Sequence, residues 1–210
     1  MDSTKTLIKY GKKAIKDKLV IALGGNISIR QKDHILIKAK GVSLSTSKAE
    51  NYIKVFIDVG ADLCVCPKQE KPSSEVAFHL ACYKARKDIN AVVHVHPVFS
   101  TAVANSNIKL ECVSYEEAAA LCSQIIRSKY FPSGSIALAK EIGKCVKTHN
   151  AILMPNHGSI TVGKDLGQAY TRALAVERAC QTLVASRSLG TMKFLPKNEA
   201  KRIIEIYNWV

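Results

Sequence analysis

The segment Ala91–His96, AVVHVH, joins a run of apolar, mostly β-branched residues to two histidines spaced two apart. Such a run reads as a buried strand, and side chains two apart on a strand point to the same side. His94 and His96 therefore aim at one place. Neutral imidazole is a good zinc ligand, so one ion can be shared by both rings. Two hydrogen-bonded core histidines would show the same spacing, and the pair alone leaves that alternative open.

Around this strand the chain reads as α/β. Leu7, Ile8, Gly11, Ile15 and Leu19 recur on a helical period and predict a helix over residues 3–20. NISIR (26–30) and HILIK (34–38) alternate as strands, and the short polar link Gln31-Lys32-Asp33 makes them a hairpin. Residues 53–58 and 61–66 read as two further strands. A helix over 73–86 is expected to open at Pro72 and Ser73. Helices are expected near 98–105, 116–126 and 135–148. A short strand follows at 151–155, then a long helix over 166–188 and a last one over 197–208. No repeat, linker or low-complexity block divides the 210 residues, so the expectation is a single domain spanning 1–210.

Charge narrows the partners. Lysine and arginine number 31 against 17 acids, a net +14, with six lysines in the first 20 residues. No aromatic-rich stripe or nucleic-acid motif accompanies that charge, so it reads as a solvated lysine-rich face and a preference for anionic small molecules. No specific nucleic-acid partner is expected. No stretch approaches the roughly 18 apolar residues of a membrane span, and no apolar run opens the chain, so no membrane partner and a cytoplasmic location are expected. The seven cysteines form no C-x-x-C pair; most sit in apolar surroundings and read as small buried hydrophobes. Cys64 and Cys66 share a strand face without further metal context.

Three other motifs carry chemistry. His157 follows a second apolar strand, and Gly158 beside it permits a sharp turn. Three histidines with an open fourth position describe a catalytic zinc site rather than a closed structural one. His34, His79 and His149 have no such context and read as surface or packing residues. Pro72-Ser73-Ser74-Glu75 reads as a helix start whose N–H groups and hydroxyls suit an anion, with Glu75 placed as a base if it faces the metal. Gly24-Gly25-Asn26 and Lys38-Ala39-Lys40-Gly41 are glycine turns that let the backbone approach a ligand closely, the second adding positive charge.

Taken in order, G-G-N-x-S, K-x-x-G, P-S-S-E, H-x-H and N-H-G resemble the class II aldolase/adducin family from about Gly24 to Ser188. Within it they resemble the short bacterial and archaeal aldolases that act on L-fuculose 1-phosphate. The resemblance implies a three-layer α/β/α fold with a central, mainly antiparallel sheet. It also implies a homotetramer with active sites between subunits, and a divalent metal, zinc or else manganese or cobalt. His94, His96 and His157 match the metal-binding histidines. Glu75 matches the glutamate that completes the metal shell and acts as base. Gly25, Asn26, Gly41, Ser73 and Ser74 match the phosphate cradle, and Lys40 is assigned beside them to pair the phosphate through its ammonium. Tyr115 matches a tyrosine lent to the neighbouring subunit as proton donor. Two features depart from the pattern: Lys40 stands where the family's aldolases carry Thr or Ser, and Tyr207 is the one tyrosine near the end of a short tail.

The function so implied is a metal-dependent aldolase, a carbon–carbon lyase. It would cleave a phosphorylated sugar, an L-fuculose-1-phosphate-like ketose 1-phosphate, to dihydroxyacetone phosphate and an aldehyde through a zinc-stabilised enediolate. Other metal-enolate reactions on a sugar phosphate share the same machinery: 4-epimerisation, decarboxylation of a sugar-acid phosphate, or dehydration of a thio-sugar phosphate. A non-catalytic adducin-like interaction module would have no use for the full ligand set.

Overall fold

Helix α1 (Ser3–Lys16) buries Leu7, Gly11 and Ala14 along one stripe, and the Asp2 carboxylate caps it by accepting the Thr4 N–H at 2.9 Å. It ends short of the expected residue 20. Lys18 turns the backbone into the left-handed region at φ 58°, which a helix cannot propagate. The computed structural model describes residues 2–58, 64–65, 71–111 and 125–207.

Among the described residues eight strands form one sheet: β1 (Asn26–Gln31), β2 (His34–Lys38), β3 (Tyr52–Phe56), β4 (Cys64–Val65), β5 (Ala91–Val95), β6 (Ile125–Arg127), β7 (Ala151–Met154) and β8 (Gly158–Gly163). Their order is β4-β3-β2-β1-β5-β8-β7-β6. Neighbours pair antiparallel except β6 and β7, which run parallel, so the sheet is mixed rather than uniformly antiparallel. Lys32 and Asp33 make the β1–β2 turn, with Lys32 at φ 50°.

The central strands are buried on both faces, and alternation along them sorts side chains between two apolar layers. Val92 of β5, Ile160 and Val162 of β8 and Ile152 and Met154 of β7 pack against α2 (Val76–Ala85) and α4 (Ile136–Cys145). Ala91, Val93 and Val95 turn the other way, toward α1 and the start of α5 (Leu166–Ser188). Farther along, α5 packs with α3 (Val98–Ala104) on Ala151 and Leu153. Each fully buried valine or leucine in these layers is worth about 1.5–3 kcal/mol. A last helix, α6 (Lys197–Tyr207), closes the chain.

Several expected boundaries change. β8 has no counterpart among the expected elements; its short β-branched core SITV is bracketed by Gly158 and Gly163. It lies at the centre of the sheet, between β5 and β7. Ile125 and Ile126, assigned to a helix over 116–126, belong to β6; the rest of that stretch, with Tyr115, lies outside the described residues. The strand expected over 61–66 is described only at Cys64–Val65. Helix α2 starts at Val76, three residues later than Ser73, with Glu75 as its N-cap. No helix among the described residues is long and apolar enough to cross a membrane. Cys82, Cys145 and Cys180 are buried free thiols, and burial pushes the thiols of Cys82 and Cys180 up to about 12.

Candidate metal centre

β5 delivers His94 on the side of Val92, so the ring enters the layer under α2 and is fully buried. One residue past the strand, the His96 N–H donates to the Leu19 carbonyl at 3.0 Å, which carries the H-x-H spacing beyond the last rung. Pro97 then opens α3, and Glu177 of α5 anchors that end: its carboxylate accepts the N–H groups of Phe99 and Ser100 at 2.9 and 2.7 Å.

His157 comes from the β7–β8 turn. Its N–H donates to the Met154 carbonyl at 3.1 Å, and Asn156 before it takes the left-handed conformation at φ 56°. Gly158 after it has no room for a side chain. A Cβ there would collide with the Val95 carbonyl and stand 2.9 Å from His96 Cδ2. The glycine thus permits the close approach of β8 to β5 that brings His157 beside His96.

The four side chains converge. Glu75 Oε2 is 3.1 Å from His94 Nε2, and Glu75 Oε1 is 2.9 Å from His157 Nε2. His94 Nε2 and His96 Nε2 are 2.8 Å apart. One donor atom from each of Glu75, His94, His96 and His157 lies within 4.8 Å of the others. His94 Nδ1 stands 3.0 Å from the Ser159 carbonyl, which only accepts, so Nδ1 carries the proton and Nε2 presents its lone pair to the cluster. Three imidazoles and one carboxylate, with a lone pair already turned inward, fit a divalent ion such as zinc.

Electrostatics agree with that role. Burial alone would raise the Glu75 pKa, but the facing His94 and His157 outweigh it and hold the carboxyl well below the usual range. Burial, then the neighbouring His94 and His157, push His96 down to about 3, so it stays a neutral ring.

The cluster opens on a cavity of about 200 Å³. Its walls are three short segments: Leu23–Asn26, Lys38–Gly41 and Ser73–Glu75, joined by His96, Ser133 and His157. All six residues expected to bind the phosphate, Gly25, Asn26, Lys40, Gly41, Ser73 and Ser74, line this one cavity. Backbone bonds from Ser73 N–H to Lys38 O and from Lys40 N–H to Lys71 O, both 2.9 Å, stitch two of the walls together. Gly25 needs its φ of +68°, and a Cβ there would stand 2.5 Å from Val20 Cγ1. Asn26 does more than line the wall: its amide N–H donates to Glu75 Oε2 at 2.9 Å.

Three residues have parts in the site that no motif announces. Lys38 is 3% exposed and donates from Nζ to the carbonyls of Leu23 and Val42 at 3.1 and 2.6 Å, tying the glycine turns together; burial lowers its pKa, with Glu75 opposing. Ser133 donates to Glu75 Oε1 at 2.8 Å. Its one sequence signal is Gly134, which adopts φ +72° against the Ser74 carbonyl. His79, taken for a packing or surface residue, is fully buried and hydrogen-bonds to the Asn26 side chain. Tyr115 lies outside the described residues.

Comparison with known proteins gives a consistent answer. A family model described as Class II Aldolase and Adducin N-terminal domain matches residues 5–184. L-fuculose phosphate aldolase of Methanococcus maripaludis is 34% identical over 181 residues, 86% of this chain and 95% of that protein. The 5-deoxy-D-ribulose 1-phosphate aldolase of Bacillus thuringiensis serovar kurstaki is 32% identical over 200 residues, 94% of this chain and 91% of that protein. A solved L-fuculose 1-phosphate aldolase superposes with a TM-score of 0.89 at 27% identity, covering 99% of this chain and 96% of its own. The chain belongs to the class II aldolase and adducin family, and is an enzyme of its aldolase branch.

Proposed function

We propose that the protein, as one domain of three-layer α/β/α build, cleaves a ketose 1-phosphate of the L-fuculose 1-phosphate type. The products are dihydroxyacetone phosphate and an aldehyde. One observation carries the reading: a carboxylate held among three imidazoles forms one wall of a cavity whose other walls are glycine turns and a serine pair. That is an arrangement for holding an anionic group at one end of a substrate and moving a proton at the other. The relatives named above are aldolases of L-fuculose phosphate and of 5-deoxy-D-ribulose 1-phosphate, which supports a phosphorylated sugar as substrate.

His94, His96, His157 and Glu75 would hold the metal, with zinc the first choice and manganese or cobalt acceptable to the same donors. When bound, such an ion supplies Lewis-acid stabilisation of negative charge on substrate oxygen. The remaining work belongs to the chain. Ser73 and Ser74, with the backbone of Gly25, Asn26 and Gly41, bind the phosphate and fix the position of the reacting carbons. In the condensation direction ionised Glu75 takes a proton from C3 of the three-carbon fragment, and the electron pair left on C3 forms the C3–C4 bond to the aldehyde carbon as the C=O π pair moves onto oxygen. Tyr115 of a neighbouring subunit in a homotetramer would give that oxygen its proton, and cleavage runs the same steps in reverse. The expected location is the cytoplasm.

Lys40 on the cavity wall favours one alternative, a sugar-acid phosphate whose carboxylate it would pair and whose breakdown would release carbon dioxide. Product analysis on a panel of ketose 1-phosphates and sugar-acid phosphates, using the metal-loaded protein, separates the two. Dihydroxyacetone phosphate with an aldehyde supports the proposal; carbon dioxide without an aldehyde overturns it. In the aldolase reading Lys40→Thr chiefly raises KM, because a phosphate contact made equally in ground and transition states is uniform binding.

A further inference from the structure

Behind the metal cluster, at the interface between α2 and β1, four polar side chains are buried in an otherwise apolar layer. Ser28, His79 and Tyr83 are fully buried and Asn26 is 4% exposed. Two spacings place them. Asn26 and Ser28 are two apart on β1 and share the face of Val92, and His79 and Tyr83 are four apart on α2 and share one helix face. Tyr83 Oη meets Ser28 Oγ at 2.8 Å, Ser28 Oγ meets His79 Nδ1 at 2.7 Å, and His79 Nε2 meets Asn26 Oδ1 at 2.5 Å. The series ends where the Asn26 amide meets Glu75 Oε2, at 2.9 Å.

Donor chemistry allows this series one arrangement of protons. Ionised Glu75 only accepts, so Asn26 turns its N–H to Glu75 and its carbonyl oxygen to His79. That oxygen only accepts, so His79 carries its proton on Nε2. The ring is fully buried, and burial pushes His79 down to about 3, so it is neutral and Nδ1 is bare. Nδ1 therefore takes the Ser28 proton, and Ser28 oxygen takes the Tyr83 proton. Every O–H and N–H in the series points toward Glu75.

We propose that His79 is a positioning residue for Glu75: through Asn26 it fixes the rotation of the carboxylate that the reading above makes the catalytic base. Packing alone does not account for the series. Burying four polar groups is costly unless each is satisfied, and apolar residues would fill the same interface without that cost. The series is fully satisfied and aligned, which strengthens each bond in turn, and its acceptor end is the reactive carboxylate. Without the His79 proton the Asn26 amide is free to rotate, and Glu75 Oε2 loses its fixed donor.

The proposal rests on the assignment of Glu75 as base, and the test separates the two. In the metal-loaded enzyme His79→Leu should lower kcat by about 10-fold, the low end of the effect of losing a direct hydrogen-bond partner of a metal ligand, which here is Asn26. KM should stay within about threefold, since no cradle contact is lost. His79→Gln, whose amide nitrogen can stand where Nε2 stands, should recover at least about a third of the wild-type kcat, a recovery that a loss of packing would not produce. Independently of activity, nitrogen NMR of the unaltered protein, metal-free and metal-loaded, should show His79 as the Nε2–H tautomer. An Nδ1–H tautomer overturns the proposal even if His79→Leu does not fold. So does a His79→Leu kcat within about twofold of wild type, or His79→Gln as impaired as His79→Leu. Glu75→Gln distinguishes the two layers: an active Glu75→Gln removes the base assignment and this proposal with it. An inactive Glu75→Gln beside a normal His79→Leu removes only the proposal.

Discussion

His94 Nε2 and His96 Nε2 face each other at 2.8 Å, and the proton of His94 is already committed on its far side to the Ser159 carbonyl. An inward lone pair next to a second imidazole and a carboxylate is an arrangement that a cation relieves. We therefore expect one divalent metal per chain. His94→Ala and His157→Ala should each lose most of it, while His149→Ala, a change remote from the cluster, should keep it. Elemental analysis after dialysis measures this; full retention in both cluster variants would remove the site.

Glu75→Gln should keep the metal and lose turnover. The three histidines still hold the ion, but a neutral amide cannot accept the proton. The loss in kcat should be on the order of 10²- to 10⁴-fold. Single-turnover assays with metal-loaded protein check it, with metal content measured on the same sample.

Acid should destabilise the metal-free protein earlier than carboxylate titration alone would. His79 and His96 sit at about 3 when folded, against an ordinary value of 6.5. Between those values the unfolded chain binds a proton that the folded chain refuses, so stability falls as pH drops through 6.5 toward 3. Each such ring contributes a slope of up to about 1.4 kcal/mol per pH unit. Glu75 adds a second loss once pH falls below its ordinary value of 4.5, because the folded carboxyl is held lower still. Urea midpoints between pH 7.5 and 5 in the presence of a chelator should decrease steadily. A flat profile would contradict the neutral, buried assignment of His79, and His79→Gln should reduce the slope.

Gly158→Ala should cost stability and metal together. Its Cβ would press on the Val95 carbonyl and the His96 ring. Forcing a methyl into a packed contact costs about 1–3 kcal/mol. The same displacement separates His96 from His157, so metal affinity should fall more than it does in Gly41→Ala, where the cost is backbone strain at φ +76° and the Cβ meets nothing within 4 Å. Denaturation curves and competition with a metal indicator dye read the two effects.

The parts of this site that sequence revealed are the ones encoded in a local period. Two histidines two apart on an apolar strand share a side wherever that strand lies, and a proline followed by two serines announces a helix start within a few residues. His79 has no such signature. Its partners, Asn26 and Ser28, lie about fifty residues earlier on another element, and only the packing of α2 on β1 brings them within reach. Ser133 has no local signature for the same reason, since its partner Glu75 lies 58 residues away; Lys38 shows as part of a basic glycine turn, but its burial against the Leu23 and Val42 carbonyls follows only from the fold. The strand β8 was hidden differently. Glycines at both of its ends look like loop punctuation, yet they are there because the chain passes close to β5 at one end and to the start of α5 at the other.

That hidden strand has a consequence for how the ion and the fold depend on each other. Glu75, His94 and His96 precede β8 and His157 directly precedes it, so no fragment ending before the β7–β8 turn contains the complete grip. The ligands meet only when β8 lies paired between β5 and β7, and a slip of one residue along β5 would carry His157 away from its companions. Since a ligand that binds only the native state stabilises it by mass action, the cation acts as an inspector of assembly. It clips together two distant stretches of chain, and it does so only when the last strand has found its register.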